Sequence, residues 1–250
     1  MGLQSLISAV PQHNAFTPTA RYDWQRMHAA AIDRVSIERV RFAVPRDPAL
    51  RVSKRVFDVT ASVALLALLS PVMLTIAVMA RRDGGPAMFA HRRIGAGGES
   101  FKCWKFRTMV PDAQDALRKL LDSDAAAREE WERDYKLRND PRVTKLGRFL
   151  RTTSLDELPQ LFNVLAGNMS LVGPRPIVSD EIPRYGAAFH DYARCRPGIT
   201  GVWQVSGRNA VDYRHRVMMD QDYARNWSLA ADVMVLLRTP LAVFRRRGAC

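Results

Sequence analysis

The chain is poor in cysteine, histidine and lysine. Its three cysteines, Cys103, Cys195 and Cys250, are far apart and show no C-x-x-C spacing. That argues against a disulfide framework and against a zinc site, and it fits a reducing compartment. The five histidines are scattered and suggest no metal cluster. Only six of the 38 basic residues are lysine. The glycine cluster Gly95-Ala96-Gly97-Gly98 could cradle a phosphate, but it lacks the Gly-Lys-Ser/Thr ending of a P-loop and reads more simply as a turn. No internal repeat and no low-complexity tract is visible. The first residues hold too few apolar side chains for a secretory signal.

What remains is apolar and arginine-rich. At 250 residues and 47% hydrophobic content, the chain can hold one ordinary domain plus extensions. The formal net charge is +13. Arginine forms planar, bidentate contacts with phosphate, although genomic composition also enriches it. A basic surface attracts nucleic acid, anionic lipid or anionic substrates, and charge alone does not choose among them.

From Val59 to Ala80 there are 22 consecutive residues without a charge. A straight helix over residues 56–80 would be about 38 Å long, against a hydrocarbon core of about 30 Å. Ser70-Pro71 lies in the middle, where proline removes a backbone donor and clashes with the preceding turn. Lys54-Arg55 precede the run and Arg81-Arg82 follow it. Positive residues favour the cytoplasmic side, so both ends are expected there. A helix-break-helix that enters the membrane and returns satisfies both features. A kinked spanning helix is the main alternative, and a soluble core helix the other.

Elsewhere the patterns are shorter. Residues 1–50 are broken by Pro11, Pro18, Pro45 and Pro48, with room for a short helix near 22–41. Residues 87–109 read as a β-hairpin around the glycine cluster. Residues 112–138 read as one helix started by Pro111, with Leu117, Leu120, Leu121, Trp131 and Tyr135 at helical spacing. A further helix is expected over 157–166 on Leu158, Leu161, Phe162 and Leu165. Residues 229–244 are amphipathic and end in Arg245-Arg246-Arg247, as an interfacial helix or an internal packing helix would.

Asp156 and Glu157 stand side by side between Arg151 and Arg175. Ser154-Leu-Asp-Glu157 matches a capping box, which local pattern alone favours. Pro159 disturbs that register, because its missing N–H would cost a helical hydrogen bond. A helix starting a few residues later tolerates Pro159 in its first turn and leaves both carboxylates at the helix mouth. There a carboxylate can attack phosphorus, its neighbour can act as base or help hold Mg²⁺, and arginines can neutralise phosphoryl charge.

The order of motifs is more specific than any one of them. Lys54-Arg-Val-Phe-Asp58, the apolar run with Ser70-Pro71, and Lys105-Phe-Arg-Thr-Met109 come first. Arg151-Thr-Thr-Ser-Leu-Asp-Glu-Leu-Pro-Gln160 and Ser170-Leu-Val-Gly-Pro-Arg-Pro176 follow. Arg196-Pro-Gly-Ile-Thr-Gly-Val-Trp-Gln-Val-Ser-Gly-Arg208 and Tyr223-Ala-Arg-Asn-Trp-Ser228 complete the set. Over roughly residues 52–250 the chain resembles the bacterial sugar transferases, monotopic polyprenyl-phosphate phosphoglycosyl transferases. Within them it is similar to short exopolysaccharide-initiating members.

The resemblance implies transfer of a sugar 1-phosphate from a UDP-sugar to undecaprenyl phosphate, with release of UMP. It implies Asp156 as nucleophile of a phospho-aspartyl intermediate, Glu157 as its partner, and Mg²⁺ held by both. Arg151 matches a phosphate-binding arginine, and Arg107, Arg175, Gln160 and Arg208 fall in motifs expected to bind substrate. Trp203 and Gln204 could shape the pocket, Trp203 equally as core. Ser70-Pro71 matches a re-entrant membrane break.

The expected fold is mainly α with a small β-hairpin. A cytoplasmic, partly disordered extension occupies 1–52 and a re-entrant hairpin 53–82. A compact cytoplasmic catalytic domain with amphipathic interfacial helices occupies 83–250. The expected place is the cytoplasmic face of a bacterial inner membrane, in contact with its lipid. The resemblance favours galactose or glucose as the donor sugar and leaves N-acetylated or deoxy sugars open, a homodimer is compatible, and nucleic acid is not an expected partner. The alternative is a membrane-anchored basic scaffold that binds anionic lipid or nucleic acid.

Overall fold

The computed structural model describes residues 48–134, 137–206 and 212–244. The short helix expected near 22–41 lies outside the described residues, as does Arg208. Helix α1, Pro48–Arg81, carries the long apolar run in 34 residues, about 50 Å at 1.5 Å per residue. It is long and apolar enough to cross a membrane. It is helical through Ser70-Pro71, so the expected break is not an interruption of the helix. Pro71 has no N–H for the Ala67 carbonyl, and Ser70 Oγ donates to that same oxygen at 2.9 Å.

One stripe of α1 is buried near each end, at Lys54, Asp58 and Ser62 and again at Met73, Ile76 and Ala80, with no buried residue from 63 to 72. The opposite face is apolar and exposed, with Val56, Val63, Leu68, Val72, Leu74 and Val78. Strands β1, Met88–Ile94, and β2, Ser100–Phe106, form the expected antiparallel hairpin. Its register sets His91 opposite Cys103 and Phe89 opposite Lys105.

The helix expected over 112–138 is two helices, α2 Ala113–Ser123 and α3 Ala125–Asp134. The break is at Asp124, whose carboxylate accepts from the Ala127 N–H at 3.0 Å and so starts a new helix. Helix α4, Lys145–Thr153, is capped by Thr144, whose side chain accepts from Gly147 N. Helix α5 is Gln160–Leu165 with Pro159 at its N-cap, the later start that proline favours.

Two short strands were not foreseen. β3, Ser170–Val172, and β4, Gly198–Thr200, pair in parallel. The turn after β3 lies so close to β4 that a Cβ on Gly173 would meet the Arg196 carbonyl, and one on Gly198 the Gly173 nitrogen. Short helices α6, Ile182–Tyr185, and α7, Phe189–Ala193, precede β4, and α8, Val202–Ser206, follows it. Helices α9, Tyr213–Arg225, and α10, Leu229–Phe244, complete the described chain. The main core joins Cys103, Leu161, Val164, Leu171, Val172, Tyr223 and Val235. A second core sets Met73 and Ile76 of α1 against Phe106 and Leu150.

The N-terminal end of α1 is tied to the elements beneath it. Lys54 Nζ reaches Asp58 at 3.2 Å, Asp232 of α10 at 2.7 Å and the Val172 carbonyl at 3.3 Å. Arg55 donates to the Val164 and Leu165 carbonyls at 2.6 and 2.9 Å, at the C-terminal end of α5. These two charges, read as flanks of the apolar run that favour the cytoplasmic side, make internal contacts. Asp232, which the amphipathic pattern of α10 offered as a polar face, is fully buried in the same network.

Candidate active site

The two carboxylates occupy a single 3₁₀ turn, Leu155–Glu157, between α4 and α5. Ser154 before them has φ 57° and ends α4 in the left-handed region. Its side chain makes no capping hydrogen bond, so the capping-box reading fails. Glu157 is instead bonded by Lys105 Nζ at 2.6 Å, across from the hairpin.

Asp156 is 9% exposed. No side chain among the described residues donates a hydrogen bond to its carboxylate. Burial and the neighbouring Glu157 push its pKa up to about 6, against the pull of Lys105 and Arg151. Glu157 goes the other way. Burial would raise it, but Lys105, Arg175 and Arg93 outweigh that and hold it below the usual carboxylate range. Adjacent acids are thus driven apart, Glu157 toward the fixed anion and Asp156 toward a carboxylate that titrates near neutrality.

A cavity of about 40 Å³ opens beside Glu157, room for about three waters; Asp156 and Arg151 are not among its lining residues. Arg93, Cys103, Lys105, Glu157, Gln160 and Arg175 are among its lining residues. The β-hairpin supplies Arg93, Cys103 and Lys105 from one face, because alternate residues of a strand point the same way. Gln160, buried at the start of α5, lines the cavity. Arg175 projects from the Gly173-Pro-Arg-Pro176 turn, half-buried, with no hydrogen bond or ion pair among the described residues. Arg151 is half-buried on α4 and donates from Nε to Thr108 Oγ1 at 2.9 Å. Burial lowers its pKa while Asp156 opposes that shift, so the two charges act on one another.

Arg107 is placed elsewhere. Its Nε donates to the Pro86 carbonyl at 2.7 Å, and Nη1 donates to Asp83 and the Met109 carbonyl at 2.8 Å. Nη2 donates to Asp83 and to the Ala80 carbonyl. All five guanidinium donors are used. Its hydrogen bond holds Asp83 at about 2. This corrects the expectation of a substrate contact: Arg107 clamps the hairpin to the C-terminal end of α1. It lies one residue beyond β2, where the strand's alternation no longer applies.

The motif reading missed Lys105 and Arg93 as site residues. The signal was present in the strand pattern, since β2 aligns Lys105 with Cys103 and the register brings Arg93 to the same face. Cations ring a carboxylate pair beside a helix with an exposed apolar face, an arrangement that suits phosphate-bearing ligands at a membrane surface.

The family model of the bacterial sugar transferases matches residues 49–246, and the chain belongs to that family. It is 54% identical over 199 residues to the undecaprenyl-phosphate galactose phosphotransferase of Salmonella typhimurium, covering 80% of this chain and 42% of that protein. To the exopolysaccharide production protein ExoY of Rhizobium meliloti it is 50% identical over 198 residues, covering 79% of this chain and 88% of that one. A UDP-glucose:undecaprenyl-phosphate glucose-1-phosphate transferase of Caulobacter vibrioides is 40% identical over 205 residues, covering 76% of this chain and 69% of that protein. The chain spans 42% of the length of its Salmonella, Haemophilus influenzae and Erwinia amylovora relatives.

Proposed function

We propose that this protein transfers a hexose 1-phosphate from a UDP-sugar to undecaprenyl phosphate, releases UMP, and thereby starts exopolysaccharide assembly. The observation that carries this is Asp156: a buried carboxylate with no side-chain donor among the described residues, beside Glu157, Lys105 and Arg151. The relatives' names, with galactose and glucose among them, support the donor class and the lipid acceptor.

The steps follow from the residues. An Asp156 oxygen attacks the donor phosphorus that bears the sugar. The bond from that phosphorus to the bridging oxygen breaks, and UMP leaves with that oxygen. A phosphate oxygen of undecaprenyl phosphate then attacks the same phosphorus. The Asp156–phosphorus bond breaks and the carboxylate is restored. Arg175 and Lys105 meet the phosphoryl charge, Arg151 stabilises the Asp156 anion, and Gln160 contacts the donor. Glu157, held ionised by Lys105, keeps the Asp156 carboxyl raised and so more basic.

The donor set also fits Mg²⁺. Asp156 and Glu157 offer adjacent carboxylate oxygens, and no third acid, cysteine or histidine joins them among the described residues. Magnesium is commonly held by one or two carboxylates and completes its shell with water and substrate phosphate. When bound there, it would neutralise phosphate charge.

The mode of membrane attachment belongs to the same proposal. Lys54 and Arg55 tie one end of α1 to β3, α5 and α10, and Arg107 ties the other end at Ala80 and Asp83. A helix crossing the bilayer would carry one of these polar ties to the far side. A monotopic, cytoplasmic-face protein whose α1 enters and returns by bending at Ser70-Pro71 while staying helical keeps both ties on one side.

The test is UMP release by the full chain with undecaprenyl phosphate, Mg²⁺ and a panel of UDP-sugars. Release with UDP-galactose or UDP-glucose is expected, together with a protein mass increase of one hexose phosphate when the acceptor is withheld. No release with any donor would overturn the reading.

A further inference from the structure

Arg175 has a position that its own contacts do not explain. It lines the cavity beside Glu157, yet its guanidinium makes no hydrogen bond and no ion pair among the described residues. Pro174 and Pro176 stiffen the backbone on either side, but the arginine side chain keeps its rotamers. What it does touch is the indole of Trp203 on α8, with the guanidinium carbon 5.7 Å from the ring centroid.

Trp203 is itself held from behind. It is 5% exposed. Arg216 of α9 lies 4.9 Å from the same ring, and its Nη1 is 3.7 Å from Glu181. Tyr213 flanks Arg216 at 5.3 Å. Tyr185 donates to the buried Asp220 at 2.7 Å, and both Arg216 and Arg175 favour the Asp220 anion. The indole is therefore a fixed wall shared by two guanidiniums. A cation seated on an aromatic face keeps its N–H groups free for an incoming anion, which a carboxylate partner would have occupied.

We propose that Trp203 is a positioning residue, whose indole holds the Arg175 guanidinium over the cavity with its donors open to the donor phosphates. This rests on the reading that those phosphates enter this cavity. Trp203 touches no substrate in this account and acts through Arg175.

The test is a double-mutant cycle in the full chain, with UMP as the probe in calorimetry and the donor KM as the second readout. Arg175→Met and Trp203→Leu should each weaken UMP binding and raise the donor KM by about five- to tenfold, the range of a partly desolvated cation–π contact. Trp203→Phe keeps an aromatic face and should stay within about twofold of wild type. The double variant should be no worse than Arg175→Met alone, a result that general loosening of the core would not give. If Trp203→Leu does not fold by thermal unfolding, Trp203→Met takes its place in the cycle. UMP binding weakened by Arg175→Met but not by the Trp203 variant overturns this proposal alone. Full multiplication of the two losses overturns it as well. Absence of UMP binding to the wild-type protein overturns the placement of the donor phosphates, and the proposal with it.

Discussion

Two clusters in this chain are made of the same parts, one lysine and two carboxylates, and they are answered very differently. In the first, Lys54 faces Asp58 and Asp232, and every charge has its partners. Asp58 accepts from Ser170 Oγ at 2.8 Å and from Leu171 N at 3.3 Å. Asp232 accepts from Tyr223 at 2.9 Å and Trp227 at 3.0 Å in addition to Lys54. Burial lifts the Asp232 carboxyl, while Lys54, Trp227 and Tyr223 pull against that rise. In the second, Lys105 is committed to Glu157, and Asp156 has no side-chain donor among the described residues. The first cluster is a latch that fixes α1 to β3 and α10. The second keeps a carboxylate available for the proposed attack on phosphorus, which costs stability.

Opposite responses to neutral substitution should separate the two. Asp156→Asn should lower turnover by at least about 10³-fold, as loss of a nucleophile does. It should not destabilise the fold. The folded Asp156 titrates near 6, above its ordinary 3.8, so its stability contribution is lost as pH rises through that interval and stays lost above it. Removing the charge at pH 7.5 should therefore leave thermal stability equal or raise it, by up to about 2–3 kcal/mol. Lys54→Met should do the reverse. It strands two buried carboxylates and should cost about 3–5 kcal/mol in thermal unfolding, while the protein that remains folded keeps its donor KM. Equal destabilisation by both substitutions would erase the distinction.

A pH profile sharpens the same contrast. As the proposed nucleophile, Asp156 would have to be ionised, so kcat/KM should fall about tenfold per unit below pH 6 and level off above it. Circular dichroism at pH 5 should still report the folded protein. A profile that follows unfolding would remove the assignment to Asp156.

The same comparison shows what local pattern can carry. The pair Asp156-Glu157 was visible because its surroundings are contiguous, and Pro159 alone argued for the later start of α5. The latch was not visible. Its members lie at positions 54, 58, 170, 223, 227 and 232, so no window contains them. Read locally, Lys54 became a flanking charge and Asp232 a polar helix face. Arg107 was misread for a related reason: a motif says that an arginine is present, and only the end of β2 at Phe106 says which way it turns. Three-residue strands such as β3 and β4 are too short to show a period, and only the Gly173–Gly198 approach betrays them. The apolar run was read correctly as lipid-length, but Ser70 supplying the bond that Pro71 lacks keeps it helical.

The smallest expected effect lies at the hinge between α4 and the carboxylate turn. Ser154 is the only non-glycine residue with positive φ among the described residues, at 57°. A left-handed conformation costs a residue with a Cβ about 1 kcal/mol relative to glycine. The Ser154 side chain recovers none of this through a capping bond. Ser154→Gly should therefore raise thermal stability by up to about 1 kcal/mol, offset in part by the greater freedom of glycine in the unfolded chain. Asp156 sits two residues later, and its direction depends on that turn being rigid. Glycine widens the range of φ open to the hinge, so turnover should fall, by less than about tenfold, while UMP affinity stays unchanged. A rise in stability with a fall in kcat alone would place Ser154 with the second cluster, where strain serves the site. A loss of stability with unchanged kcat would place it with the latch.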